Sequence, residues 1–426
     1  MKYIKNEIGP FNIHIIQTEK FKTNRISVYF KRPIVKEEIT IRNLLCDCLT
    51  CATKKYNTER LMNIRTEELY GIPYNGSTFL SGNFAVMSFS MEFLNDKYIS
   101  DSILEDSVSF LMDILFEPNA NNQKFDEKIF EVNKKTLEES IKSFSDNPRK
   151  YSVRRTYEEI GENTPLSYHS SGYLEDLDKI TRESLYEYYQ SVLTKDIVDI
   201  FVLGDIDINE IKNILISKMK VKTIKKPKGS HYIKHTAFRK KSKTVIEQKD
   251  INQSKLVVGC KLKNITPFET NYVSNLYSYI LGGSADSILF KNVREKHSLC
   301  YYISSSINKI SNVLMIESGI DKKDYKKAVR LIKKQLKNMT LGKFDEKYIE
   351  NGKVTYLNAC KELCDSPRDL LNIYISSEYL GTDLLEKREK EINKVTKNDI
   401  IKFANKVYLD TIYLLEGIEQ DGNKET

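Results

Sequence analysis

Three groups of side chains in the sequence have types and spacings that could do chemistry. Cys46, Asp47, Cys48 and Cys51 form a dense C-x-C-x-x-C cluster, and thiolates so close together can hold a soft metal such as zinc. On a helix, however, Cys48 and Cys51 share a face while Cys46 points elsewhere. A metal would need a further ligand from outside, and buried thiols are the commoner role of free cysteine. The second group is His231-Tyr232-Ile233-Lys234-His235. Its histidines have the i, i+4 spacing of a zinc pair, but Lys234 stands where a metallopeptidase needs a glutamate to activate water. The third is the pair Glu138-Glu139, which reads as a solvated helix face. Cys360 and Cys364, also four apart, read as core thiols. His14, His169 and His297 each stand alone. None of these groups completes a metal site, so no metal is expected in this chain.

The elements that must position these residues follow from length and pattern. The chain has 426 residues, of which 40% are apolar and 30% charged. That is a globular composition, with room for two or three domains. No run approaches the roughly 18 apolar residues of a membrane span. Met1 to Pro10 is charged and lacks the apolar stretch of a signal peptide. Seven cysteines without such a signal point to free thiols and a cytoplasmic location. The net charge of +8 is small for this length, and neither nucleic acid nor a membrane is expected as a partner. Part of the excess lies between Lys220 and Lys243, with Pro227 and Gly229. This stretch reads as a solvated connector between two halves.

The chain repeats itself. Lys124-Phe125-Asp126-Glu127-Lys128 recurs as Lys343-Phe344-Asp345-Glu346-Lys347, and Asp146-Asn147-Pro148-Arg149 returns as Asp365-Ser366-Pro367-Arg368. Both offsets are 219 residues. Each intervening segment lacks proline and carries apolar residues at helical spacing, which predicts a long helix ending before the proline. A third match, Asn63 to Glu67 against Asn292 to Glu295, precedes a strand-like run in each half, 83–92 and 313–318. Further strands are expected at 12–18, 26–30, 198–203, 243–248 and 255–260. Helices are expected at 40–54, 59–70, 100–116, 209–218, 269–281, 322–339 and 396–407. This gives two copies of one unit: an N-terminal domain over 1–222, a basic linker over 223–242 and a C-terminal domain over 243–426. Strands return between helices in both, so the class is α+β.

One segment carries a specific resemblance. Leu281-Gly282-Gly283-Ser284-Ala285-Asp286-Ser287-Ile288-Leu289-Phe290-Lys291-Asn292-Val293-Arg294-Glu295-Lys296-His297-Ser298-Leu299-Cys300-Tyr301 resembles the C-terminal signature of the M16 (pitrilysin-like) zinc peptidases. In the first half Glu67 to Gly71 and Val132 to Pro148 resemble the family's matching stretches, so the likeness covers nearly the whole chain. It implies two homologous domains of the LuxS/MPP-like metallohydrolase kind, each an antiparallel-rich sheet flanked by helices.

The resemblance also shows what is missing. The family's H-x-x-E-H motif places two zinc ligands and a general base on one helix. Here it aligns with Asn43-Leu44-Leu45-Cys46-Asp47, so both histidines and the glutamate are gone. Glu138 or Glu139 stands near the third ligand. The family's Arg and Tyr, seven residues apart, match Arg294 and Tyr301, and the resemblance gives them substrate and transition-state binding opposite the zinc. Gly282, Gly283 and Ser284 are expected to contact substrate. Some bacterial members are heterodimers in which one subunit carries H-x-x-E-H and the other only the Arg/Tyr pair. The expectation is therefore the zinc-less subunit, inactive alone, that binds peptide and works on a partner's zinc. A homodimer is possible in isolation. The alternatives are an inert scaffold of this fold, and a self-sufficient metallopeptidase using Cys46 and Asp47.

Overall fold

A computed structural model describes residues 1–222 and 229–418. Residues 223–228 of the basic linker lie outside the described residues. The chain divides into two units.

Unit one holds a six-stranded sheet. Its strands are β1 (Lys2–Ile8), β2 (Phe11–Gln17), β3 (Thr23–Pro33), β4 (Tyr74–Ser81), β5 (Phe84–Leu94) and β6 (Ile197–Gly204), in the order β1-β2-β6-β3-β5-β4. Only β2 and β6 run parallel. The central strand β6, Ile-Val-Asp-Ile-Phe-Val-Leu-Gly, is buried throughout, which explains its nearly unbroken apolar run. Alternate residues of β3 and β5 (Ile26, Val28, Phe30, Met87, Phe89) face the core. Helices α1 (Ile39–Cys51) and α3 (Leu104–Phe116) supply Leu44, Leu45, Val108 and Leu111 to it. Helices α2 (Glu59–Glu68), α4 (Glu127–Ser143), α6 (Arg182–Lys195) and α7 (Ile208–Lys218) complete this part of the sequence.

Unit two repeats the arrangement. Strands β7 (Lys243–Lys249), β8 (Ser254–Leu262), β9 (Cys300–Asn308), β10 (Val313–Ile320) and β11 (Val407–Gly417) run in the order β9-β10-β8-β11-β7, with β7 and β11 parallel. Read backwards this is the order of unit one without β1. The duplication seen in the sequence is thus a duplication of topology. A buried ion pair is repeated too. Lys31 of β3 meets Asp199 of β6 at 2.9 Å, and Lys261 of β8 meets Asp410 of β11 at 3.1 Å. Asn12 donates to Asp199 at 2.6 Å, while Arg239 adds a second cation to Asp410. An ionised carboxylate survives burial only with such partners.

The sequence halves and the units do not coincide. Unit two includes residues 143–167 from the first half, and unit one includes residues 364–375 from the second. These are the segments that carry the repeated Asp-x-Pro-Arg. In each, the proline does not end the chain's helical course. It opens a new helix, α5 (Pro148–Ile160) and α12 (Pro367–Leu380), because a first-turn N–H has no helical acceptor to lose. Asn147 caps α5 by accepting from the Lys150 N–H at 3.0 Å. Within unit two, α5 lies on β8 and β11, and its Arg155 and Tyr151 bind Glu247 of β7.

The described part of the basic segment is irregular and only partly solvated, because some of its side chains are pinned down. His231 is buried, stacks on Phe84 at 4.5 Å and pairs its Nδ1 with Ser81 Oγ at 3.0 Å. In unit two the Ile233 N–H donates to Ile310 O at 2.8 Å, and His235 Nε2 bonds Ser311 O at 2.8 Å. Apolar and aromatic residues interleave with the lysines here and bind the segment down. The expected helix at 396–407 also runs too far: α14 (Lys397–Ala404) stops and β11 begins at Val407.

Candidate functional site

The positions of the absent zinc motif lie together on α1, in unit one. Asn43 is a clamp. Its Nδ2 donates to Ile39 O at 2.9 Å and to Ser170 O at 2.8 Å. Its Oδ1 accepts from Thr78 Oγ1 on β4. One side chain therefore ties the helix to the edge strand and to the loop at 170. Cys46 is 1% exposed. Burial and the neighbouring Asp47 push its thiol far above the ordinary range, so it is a packed, protonated thiol and a poor ligand. Strand β4 closes on it through Gly76, where a Cβ would stand 2.2 Å from Thr50 Oγ1 and 3.0 Å from Cys46 Sγ. Cys48 is buried and its thiol likewise raised by desolvation. Asp47 reaches solvent, yet the protein around it raises its carboxyl to about 6 by desolvation. On α4, Glu138 pairs with Lys142 one turn on.

These residues do not fit a catalytic zinc. The two positions that would need imidazoles offer an amide fully used in structure and one carboxylate. The position of the general base is filled by an apolar contact. Among the described residues no group of three His, Cys, Asp or Glu side chains is placed to share a metal.

Unit two presents a different picture at Arg294 and Tyr301. Arg294 lies on α9, whose residues Phe290–Glu295 form a π-helical turn, a local rarity often found at working sites. Its guanidinium stacks over Phe290 at 4.5 Å and the residue is exposed. The helix is closed by Ser298 with φ +48°. The Ser298 N–H donates to Arg294 O at 2.8 Å, the single bond of an αL cap, and the Leu299 N–H donates to Val293 O at 3.2 Å. Strand β9 starts two residues later. Its pairing with β10 slips between Cys300 and Tyr302, so Tyr301 is the extra residue of a β-bulge. A bulge re-aims a side chain at a sheet edge, and β9 is the edge of its sheet. Tyr301 is 63% exposed, and its hydroxyl reaches only Asp321 Oδ1, at 3.5 Å.

Gly282, Gly283 and Ser284 close α8 (residues 269–283), which begins and ends in π-helical turns. Gly282 is buried against β9, where a Cβ would stand 2.7 Å from Ser305 N. Gly283 is exposed. Ser284 Oγ is buried without a hydrogen-bond partner. Sequence reasoning missed Thr78, Ser170 and Asp321, the partners of Asn43 and Tyr301. It also missed the bulge, since no residue type announces it.

A duplicated sheet-and-helix unit with this signature defines the class. The chain belongs to the M16 peptidase family, and it carries no H-x-x-E-H anywhere. Residues 179–355 match the family model described as the peptidase M16 inactive domain. The chain is 33% identical over 98% of both lengths to the probable inactive metalloprotease YmfF of Bacillus subtilis. It is 24% identical, over 75% of its own length and 78% of the relative's, to the uncharacterized zinc protease YmxG of the same organism. A conserved protein from Enterococcus faecalis superposes with a TM-score of 0.91 at 30% identity, over 98% of this chain and 99% of that one. A protease from Helicobacter pylori shares the fold at 14% identity, with a TM-score of 0.80 over 97% and 99% of the two chains. No helix among the described residues is long and apolar enough to cross a membrane.

Proposed function

We propose that this chain is the zinc-less subunit of a two-chain M16 peptidase, inactive alone. It binds unfolded peptide and contributes Arg294 and Tyr301 to an H-x-x-E-H partner that holds the zinc. The observation that carries this reading is a contrast. Of the zinc-motif positions Asn43 and Cys46 are absorbed into packing, whereas Arg294 and Tyr301 stay exposed on a capped π-turn and a bulge. A permanently charged fork and a neutral hydroxyl are suited to hold a peptide carbonyl and the oxyanion that grows from it. Peptide would add as a strand to a free sheet edge, such as β4 beside α1, a mode that reads backbone more than sequence. Gly283, exposed at the end of α8, and the backbone of the next residue, Ser284, are further substrate contacts, while Gly282 serves the approach of α8 to β9.

The test uses the chain reconstituted with an H-x-x-E-H subunit. Arg294→Ala and Tyr301→Phe each lower peptide cleavage about 10²-fold or more, the cost of losing one oxyanion donor, and leave assembly intact. Unchanged turnover sinks the catalytic role. A second reading is an inert scaffold, favoured by the use of Asn43 as a structural clamp. It predicts a stable complex whose cleavage is absent or indifferent to Arg294.

A further inference from the structure

The sixteen residues from Lys322 to Lys337 carry eight basic side chains and one acid, Asp324, a net charge of +7. Most of them form helix α10 (Tyr325–Thr340). Its apolar residues Ala328, Leu331, Ile332 and Met339 are buried, and all eight cations are exposed. Among the described residues Lys326, Lys327, Arg330, Lys333, Lys334 and Lys337 have no ion-pair partner, while Lys322 pairs with Glu416 and Lys323 lies 4.0 Å from Asp321. Like charges one turn apart oppose helix formation. Several basic helical residues elsewhere are offset by nearby acids, as in Lys142–Glu138 and Arg154–Glu158. On α10 the offset is missing.

The position of this stripe matters as much as its charge. It begins next to Asp321, the residue that the Tyr301 hydroxyl reaches, and α10 packs on α9, the helix of Arg294. From there it extends about 22 Å at 1.5 Å per residue. An extended peptide rises about 3.3 Å per residue, so seven residues cover the stripe. Its alternate side chains recur about every 6.6 Å, close to the 5.4 Å of a helical turn. Acidic side chains on one face of such a peptide would meet successive rungs of lysine and arginine. A nucleic acid fits less well, because the only aromatic residue in the stripe, Tyr325, is half-buried and offers no platform for bases. A membrane fits less well because the apolar residues that would insert are in the core.

We infer that the exposed face of α10 is an exosite for acidic polypeptide segments, guiding them toward Arg294 and Tyr301. The substrate class is thus acidic peptide, an inference that rests on the proposed peptide-binding role. The full chain is titrated against a fluorescein-labelled peptide of alternating Glu and Ser, followed by anisotropy. The peptide binds at low salt and is released near 1 M salt, where the Debye length is about 3 Å. The variant K326E/K327E/K333E/K334E weakens binding about tenfold or more and keeps the parent's circular dichroism, because its substitutions are on exposed positions. Equal affinity in that variant overturns the exosite, as does a duplex RNA or an anionic vesicle binding more tightly than the peptide at the same salt. In the reconstituted pair the same variant raises KM for the acidic peptide and leaves kcat near parent. If it does so while Arg294→Ala leaves cleavage unchanged, the exosite stands and the catalytic role falls. If Arg294→Ala abolishes cleavage while the charge-reversed variant cleaves acidic peptide like the parent, the exosite alone falls.

Discussion

Rebuilding the zinc motif on α1 should unfold unit one before it makes an enzyme. The perturbation is Asn43→His/Cys46→Glu/Asp47→His. Position 46 is 1% exposed and lies against Gly76 of β4. A glutamate there overfills the space, at about 1–3 kcal/mol. It must also be neutral to stay buried. Holding a carboxyl of ordinary pKa near 4.3 protonated at pH 7 costs about 4 kcal/mol. Losing Asn43 frees Ser170 O and Thr78 Oγ1 of their partner, at about 1–2 kcal/mol. The total of about 6–9 kcal/mol is comparable with the whole stability of a typical domain, about 5–15 kcal/mol. The sign with pH is defined. A buried glutamate has its folded pKa raised, so the loss is small below about pH 4 and grows as pH rises toward neutrality. The assay is thermal unfolding from pH 5 to 8, with and without zinc, beside Asp47→His alone, which changes a position that reaches solvent and should leave unit one folded. A triple variant that melts with the parent and binds zinc stoichiometrically would refute the view of α1 as a packed structural helix.

Three further outcomes are expected. Asp199→Ala should destabilise unit one by about 3–5 kcal/mol, because it strands Lys31 in the sheet; denaturant unfolding measures it, and Asp410→Ala should do the same in unit two. The Asp199 carboxyl is held well below its usual range by His14, Lys31 and Asn12, against desolvation that raises it, so its stabilisation is present above the unfolded carboxylate pKa and fades as pH falls through the folded value. His231, lowered to about 4 mainly by burial, destabilises the fold as pH drops from about 6.5 to 4, by about 3 kcal/mol in all. His231→Phe keeps the stack on Phe84 and should flatten stability between those pH values; an unchanged pH profile would remove His231 from the account.

The duplication and the helix–strand order were legible because repeated motifs and apolar periodicity are local. Lys124 to Lys128 lead into α4 and Lys343 to Lys347 into α11 (Lys347–Glu362), with starts one residue apart in the repeat. The helix exchange was not legible. Nothing local in α5 or α12 says which sheet it will cover, since that depends on partners such as Glu247 for Tyr151 and Arg155. Strand β1 was missed because Lys-Tyr-Ile-Lys-Asn-Glu-Ile is an exposed edge strand, whose charges resemble those of a loop. At the site, residue types identified Asn43, Cys46 and Asp47 as non-ligands. The sequence could not reveal that Asn43 had become a clamp, because Thr78 and Ser170 are remote in sequence and unremarkable in type.

The two sheets explain how a chain can shed its metal chemistry and keep its fold. Each holds its own buried Lys–Asp pair, Lys31 with Asp199 and Lys261 with Asp410, made by strand residues and not by the zinc-motif positions. These pairs hold the sheets without a metal, unlike small domains whose binding energy is their folding energy. On α1, Asn43 bonds β4 and the loop at 170 and Cys46 packs against Gly76. No comparable filling has occurred around Arg294 and Tyr301. An exposed arginine with no acidic partner among the described residues and an exposed tyrosine on a bulge add little to stability, and scaffolding alone gives no physical reason for that geometry. Their exposure, set against the packed Asn43 and Cys46, is the strongest support for the peptide-binding role proposed for unit two.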